Sequence, residues 1–468
     1  MRVAVIVVVL AAAAAVLAPA APASTPAPRR ITIAAAGDVL LHRRVTQVAR
    51  TTDGGYDFTP MVAEIEPWIS TADLAICHLE GTLGTDPAAF QFYPRFVGPA
   101  EIAPALAGAG WDVCSTAGNH SLDAGGAGVD STLDVLDAAG VHHDGTARAS
   151  WERRPGLYRV GDPAVEVAHM SYTESTNGLP LPPDRPWAVN LIDADTILAD
   201  AAAARESGAE LVVVSLHWGA ENQVDPTPAQ RSLARTLLES RLVDLILGSH
   251  VHVVQPVEQI DGRWVVYGMG NHLSNQNSQY GPEYFATEDG VVVLATATEQ
   301  PDGSFAVDLA FAPTWVLLDD YTIFSTQDAL LRGNASSALI AASQGRTVER
   351  LGRLGAPITL AASPWPEVSC FGFRATITGT DGPDFLVGTP GDDVIAARGG
   401  DDLVLAGEGR DLVCGGDGDD SIAGGPGGGM TSGGEGDDWV SGSPHSVVVG
   451  GPGIDRCVGG FFPASCER

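Results

Sequence analysis

The sequence predicts an α/β domain built on parallel strands, followed by a parallel β-roll. Three observations carry this. Apolar strand-like runs alternate with helical stretches between residues 31 and 268. Acidic, amide and imidazole side chains recur just past the ends of those runs. From Gly379 the chain turns to glycine, aspartate and small residues with a period of nine. Alternating strands and helices favour a parallel sheet, and open sheets of that kind bind ligands beyond the carboxyl ends of their strands.

The elements follow in order. Ile31 to Ala36 reads as a buried strand that stops at Gly37-Asp38, with His42 just beyond. A helix is expected over Pro60 to Ser70, then a strand, Asp73 to Cys77, ending in His78-Leu79-Glu80. Pro99 to Gly110 reads as a helix and Trp111 to Ser115 as a strand, which ends in Gly118-Asn119-His120-Ser121-Leu122-Asp123. Helices follow over Gly126 to Ala139 and Asp193 to Ser207. The strand Leu211 to Ser215 leads to His217-Trp218-Gly219. A helix over Thr227 to Ser240 precedes the strand Leu242 to Leu247, which breaks at Gly248-Ser249-His250-Val251-His252. A last strand, Trp264 to Gly268, leads to Asn271-His272, which could line the pocket.

Composition sets the bounds. A chain of 468 residues can hold more than one core. The net charge is −32 and all 26 basic residues are arginine, so there is no basic surface for a nucleic acid. Arg2 precedes an apolar run, Val3 to Leu17, and small-residue cleavage patterns at Ala18-Pro19-Ala20 and Ala21-Pro22-Ala23. Residues 1–23 therefore read as a secretory signal peptide; the run is shorter than the roughly 18 apolar residues a membrane span needs. The expectation is export, secreted or at the cell surface, into an oxidising compartment, with no transmembrane anchor after cleavage. The expected division is linker 24–30, α/β domain 31–354, linker 355–369 and a calcium-binding roll 370–468.

The strand-end residues permit dinuclear metal chemistry. Two carboxylates, an amide oxygen and several imidazoles are the donors such a site uses. Glu80 is the natural bridge, because one carboxylate can share its oxygens between two cations. Asp38, Glu80 and His252 are assigned to one metal, with His42 as a further candidate. Glu80, Asn119, His217 and His250 are assigned to the other. Two divalent transition metals (Mn, Fe or Zn) roughly 3.5–4 Å apart can generate hydroxide and stabilise both attacking and leaving oxygens. His120 is then the candidate general acid and Asp123 its orienting partner. His78, His142, His143, His169 and His272 are left outside the metal shell.

Taken together, Gly37-Asp38, His78-Leu79-Glu80, Gly118 to Asp123, Leu216 to Gly219, Gly248 to Gln255 and Tyr267 to Asn271 resemble the CapA family of poly-γ-glutamate capsule synthesis proteins. That family is similar to the calcineurin-like metallophosphatases. The resemblance implies a four-layer α/β/β/α sandwich with the metal centre at the sandwich edge, which tempers the plain parallel-sheet expectation. There are departures. Metallophosphatases usually open with Asp-x-His, whereas Leu40 stands two residues after Asp38, and the CapA-like pattern more often has Asn where this chain has His78.

The tail matches the calcium-binding nonapeptide repeat of RTX proteins. Its sixth-position aspartates are Asp384, Asp393, Asp402, Asp411, Asp420, Asp438 and Asp455; Gly429 and Val447 break the series. An apolar residue recurs at the eighth position, from Leu386 to Val440. The expectation is a parallel β-roll that folds with calcium, since carboxylate and carbonyl oxygens suit that ion. Cys370, Cys414, Cys457 and Cys466 allow three connectivities; proximity favours Cys457 with Cys466, leaving Cys370 with Cys414 to pin the start of the roll. Cys77 and Cys114 are expected as buried thiols, with a disulfide as the alternative. The functional expectation is a secreted, metal-dependent hydrolase-like protein acting on an anionic envelope polymer or a phosphoester. The competing reading is a non-enzymatic capsule scaffold or a calcium-dependent adhesin.

Overall fold

The computed structural model describes residues 27–277, 286–331, 337–364, 369–371, 373–460 and 462–466. The expected signal peptide lies outside them. Among the described residues no helix is long and apolar enough to cross a membrane.

Two mixed sheets form the first domain. In the first, the strands run in the order Ile323–Ser325, Phe305–Val316, Asp289–Glu299, Arg30–Leu40, Leu74–Glu80, Val113–Ser115, His142–Asp144, and Asn271–Leu273 also pairs with Arg30–Leu40. In the second the order is Val257–Ile260, Arg263–Val266, Leu245–Ser249, Leu211–His217, Val165–Thr173, Gly156–Val160. In the first sheet the strands from Arg30–Leu40 to His142–Asp144 are parallel and those on the other side antiparallel; in the second the central strands are parallel and both edge strands antiparallel. A plain parallel sheet is therefore corrected to two mixed sheets face to face.

Strand alternation explains the layering. Ile31, Ile33 and Ala35 pack between the sheets against Leu211, Val213, Leu245 and Leu247 of the second sheet. Their neighbours Ala34 and Ala36 point the other way, onto a core shared with Trp68, Ile102, Leu106, Leu133 and Leu136. On the far side Val212, Val214 and Ile246 meet Ile197, Ala201, Leu237 and Leu238. Three cores imply four layers, α/β/β/α, as the resemblance implied. Strands buried on both faces must be apolar at every position, which is why they read as unbroken runs.

Local signals set the helix boundaries. Asp193 caps Ala194–Glu206 by accepting from the Thr196 amide. Thr227 and Gln230 form a reciprocal capping box ahead of Pro228–Glu239, with proline in the first turn. Pro60 to Ser70, expected as one helix, is broken into Thr59–Val62, a short 3-10 turn and Glu66–Ser70; Pro67 sits at the start of the last piece. Beyond residue 354, where a linker is expected, Thr359 and Ala361 hydrogen-bond to Phe311 at the sheet.

The tail is a roll of two parallel sheets. One contains Ile377–Thr378, Val394–Gly399, Asp411–Asp417, Gly429–Glu435, Ser446–Val449 and Phe462–Ala464; the other contains Phe385–Val387, Leu403–Leu405, Ser421–Ala423, Trp439–Ser441 and Arg456–Val458. Successive nonapeptides alternate between the sheets. The apolar eighth positions meet in a thin core of Ile395, Val404, Val413, Ile422, Val440 and Val448. Cys370 is bonded to Cys414 and Cys457 to Cys466. Cys77 and Cys114, expected as thiols, are bonded to each other. The register places them directly opposite on parallel neighbours, with Cα atoms 4.5 Å apart.

Candidate metal centre

Register brings the first half of the site together. Asp38 pairs with His78 on one side and Asn271 on the other. Two residues along, Leu40 pairs with Glu80, so His78 and Glu80 share one face of their strand. The second sheet supplies the other half. His217 ends its strand opposite Ser249, and the chain then bends through His250 and His252, both at positive φ (89° and 58°). Left-handed backbone is costly for a residue with a side chain; here it turns both imidazoles toward the first sheet. The His250 amide secures the junction by donating to both Asp38 oxygens at 3.1 and 3.3 Å.

Three overlapping groups of ligand atoms result: Asp38, His78 and His217; Glu80, His217 and His250; Asp38, Glu80 and His252. His252 Nδ1 lies 3.2 Å from Asp38 Oδ2 and 3.9 Å from Glu80 Oε2, while His217 Nε2 lies 3.7 Å from Glu80 Oε1. Asn119 Oδ1 is 3.0 Å from His217 Nε2. Gly118 lies against the rings of His217 and His78, which a Cβ there would meet at 3.7 Å.

The polar accounting singles these atoms out. Both Glu80 oxygens, His78 Nε2 and His250 Nδ1 are buried without a hydrogen-bond partner, although buried polar groups are nearly always paired. Burial pushes His78 and His250 down to about 4 and His217 well below the ordinary imidazole value, which favours neutral rings, with His78 Nε2 and His250 Nδ1 unpartnered. Burial lifts Glu80 to about 7. His252 is lowered by burial but raised further by Glu80 and Asp38, to about 10. A pocket that draws a positive charge to two buried carboxylates, ringed by neutral imidazoles, has the donor chemistry of a transition-metal site.

Not every expected residue joins. His42 belongs to none of the three groups; its Nδ1 takes the Asn275 amide at 3.4 Å and its ring meets Phe96 edge-on. His78, expected outside the shell, joins one of the three groups, with Nε2 3.7 Å from Asp38 Oδ1 and Nδ1 2.6 Å from Ser115 Oγ. Its signal was the two-residue spacing from Glu80. His169 is satisfied by Asp144 and Ser215, a structural role. Of the supporting residues, Ser249 and Asn271 lie in the stretches Gly248 to Gln255 and Tyr267 to Asn271, whereas Ser115 and Asn177 carry no motif.

His120 stands beside the cluster. Its Nδ1 is 2.7 Å from Asp123 Oδ2, an oxygen that also accepts the Phe96 amide. Burial disfavours the charged ring, but Asp123 and Glu80 outweigh it and raise the pKa.

The roll holds a second set of orphaned oxygens: Oδ2 of Asp402, Asp411, Asp420, Asp438 and Asp455. Burial lifts Asp402, Asp411, Asp420 and Asp438 above the usual carboxylate range, Asp420 to about 7. Bare buried carboxylates ranked along a loop stack fit calcium.

The chain matches known families in both regions. The bacterial capsule synthesis protein PGA_cap model matches residues 32–276, and the RTX calcium-binding nonapeptide repeat model matches 378–413 and 406–429. The capsule biosynthesis protein CapA of Bacillus anthracis is 25% identical over 255 residues, 53% of this chain and 60% of that protein. The PGA biosynthesis protein CapA of Bacillus subtilis is 28% identical over 205 residues, 42% of this chain and 49% of that one. The chain thus spans 60% of the length of the first of these relatives and about half of the second. Among solved structures, a calcineurin-like phosphoesterase from Bacillus subtilis superposes with a TM-score of 0.37 at 14% identity, over 69% of this chain and 98% of that one.

Proposed function

The chain belongs to the bacterial capsule synthesis protein family, and from that premise we propose a secreted, metal-dependent hydrolase that acts on an anionic capsule or envelope polymer and carries a calcium-loaded tail. The observation behind this reading is the set of orphaned donors, Glu80, His78 and His250, gathered around Asp38, His217 and His252.

Asp38, Glu80, His78 and His252 would hold one cation; Glu80, Asn119, His217 and His250 would hold the other. Two bound divalent metals (Mn, Fe or Zn) supply hydroxide near neutral pH and charge stabilisation for a hydrolytic displacement. The chain's own residues do the rest. His120, whose charged form Asp123 favours, would give its proton to a leaving oxygen or nitrogen. The Asp38 carboxylate is fixed by the His250 amide, so the pocket is organised before substrate arrives. A phosphoester and a γ-glutamyl polymer both present the negative charge such a site attracts. Export is supported by the apolar N-terminal run and by disulfides in both domains. The sandwich, residues 31–354, would carry the chemistry, and the roll from 370 onward the calcium.

The test is hydrolysis of a generic phosphodiester and of poly-γ-glutamate by the full chain, with metal content measured on the same sample. Turnover of either that is lost in His250→Ala together with bound metal supports the reading. Metal with no turnover of either overturns the hydrolase assignment.

A further inference from the structure

The two edges of the roll are not equivalent. Loops ending at Asp384, Asp402, Asp420, Asp438 and Asp455 lie along one edge, because each nonapeptide crosses to the opposite sheet. Along that edge the carboxylates form a continuous ladder. Asp402 Oδ1 accepts the Asp384 amide at 2.7 Å, Asp420 Oδ1 that of Asp402 at 2.8 Å, Asp438 Oδ1 that of Asp420 at 2.8 Å, and Asp455 Oδ1 that of Asp438 at 3.1 Å. One oxygen of each is thereby used in holding the coils in register. The other, Oδ2, is left bare on Asp402, Asp420, Asp438 and Asp455, all at most 2% exposed. An outer row repeats the device: Asp401 accepts the amide of Asp419, Asp419 that of Asp437, and Asp437 that of Ile454.

The opposite edge loses this pattern after two loops. Asp393 donates its amide to Asp411 Oδ1, and Asp411 alone on this edge has a bare Oδ2 among the described residues. The next two loops contain no carboxylate. Gly429, at the aspartate position, sits at φ +114° against the Asp411 carbonyl, where any side chain would collide. The loop after it closes on itself, with the Ser443 amide donating to Ser446 Oγ at 3.0 Å. The first loop on each edge is closed too: Thr380 satisfies Asp384 Oδ2, and Thr389 satisfies Asp393 Oδ2, each through its amide and its hydroxyl.

We infer that the roll takes calcium as a one-sided column running from Asp402 to Asp455, while the opposite edge holds at most one ion, at Asp411, and closes its remaining loops with polypeptide. This rests on the calcium reading of the repeats. The column extends past residue 429, where the family match ends. Threonine at the first loop of each edge takes the place of an ion and ends the stack without a bare carboxylate. Adjacent coils lie about 4.8 Å apart, so the inner carboxylates of the column stand close enough to repel one another until cations intervene. On the other edge only Asp393 and Asp411 face one another in this way.

The experiment is equilibrium dialysis of the full chain against calcium alone, with circular dichroism on the same samples. Asp420→Asn and Asp438→Asn are expected to lower the bound calcium and to raise the calcium concentration at the folding midpoint about tenfold or more; Asp393→Asn is expected to change neither. If Asp420→Asn prevents the roll from folding, Asp455→Asn at the end of the column serves for the same comparison. Equal losses from Asp393→Asn and Asp420→Asn, or no loss from any column variant, would overturn the one-sided column while leaving calcium binding intact. A wild-type chain that binds no calcium would instead overturn the underlying calcium reading.

Discussion

The sandwich and the roll both bury bare carboxylate oxygens, and they assemble them in opposite ways. In the sandwich, six side chains between Asp38 and His252 come from four segments and meet only because two sheets stack with a fixed register. In the roll, the oxygens recur every 17 or 18 residues along one edge, each supported by the coil before it. The sandwich has three hydrophobic cores to hold its site in place. The roll has a thin core along its length and a small cluster of Cys370, Ala375 and Ala396 at its start. A cation in the sandwich thus enters a frame built by apolar packing, whereas a cation in the roll is part of the frame.

That contrast can be broken most sharply by chelation. Removing calcium from the full chain is expected to abolish the cooperative unfolding of the roll while the sandwich keeps its own transition, read by calorimetry. Loss of both transitions together would mean the two regions do not differ as described. Next in size is the sandwich site itself. His217→Ala should reduce transition-metal affinity by a factor on the order of 100 or more, since it removes a ring shared by two of the three ligand groups; calcium content should stay as in the wild type. Cys370→Ser opens a disulfide that closes a 44-residue separation. It should destabilise the roll by about 2–4 kcal/mol and leave the sandwich melting point unchanged. The smallest effect is a local one: Thr227→Ala removes the capping box of Pro228–Glu239 and should cost the sandwich about 1 kcal/mol, visible in denaturant titration with calcium held constant.

Legibility in the sequence follows the same division. The roll was readable almost residue by residue, because a strict period of nine fixes which side chains face the core and which face the loops. Its two-edged asymmetry was not, since that requires knowing that alternate repeats stack 18 residues apart. In the sandwich, Asp38, Glu80, Asn119, His217, His250 and His252 were visible as polar residues at the ends of apolar runs. His78 carries only the two-residue spacing from Glu80 on the same strand as a signal, and its pairing with Asp38 places it beside the other donors. His42 was overvalued because proximity in sequence stood in for proximity in space; the extended backbone past Asp38 carries it toward Asn275 and Phe96. The antiparallel strands Asp289–Glu299 and Phe305–Val316 carry no motif, and the mixed character of the sheets is legible only through the family resemblance. The Cys77–Cys114 bond likewise depends on strand register, which composition does not encode.

The central claim is that one chain carries two separable metal centres, of which the sandwich centre is built by Asp38 and its neighbours. Elemental analysis of the purified full chain and of Asp38→Ala tests it most directly. About two transition-metal ions per wild-type chain, reduced to one or none in Asp38→Ala with calcium content unaltered, is the expected result. Transition-metal content unchanged by Asp38→Ala, or calcium lost along with it, would contradict the account.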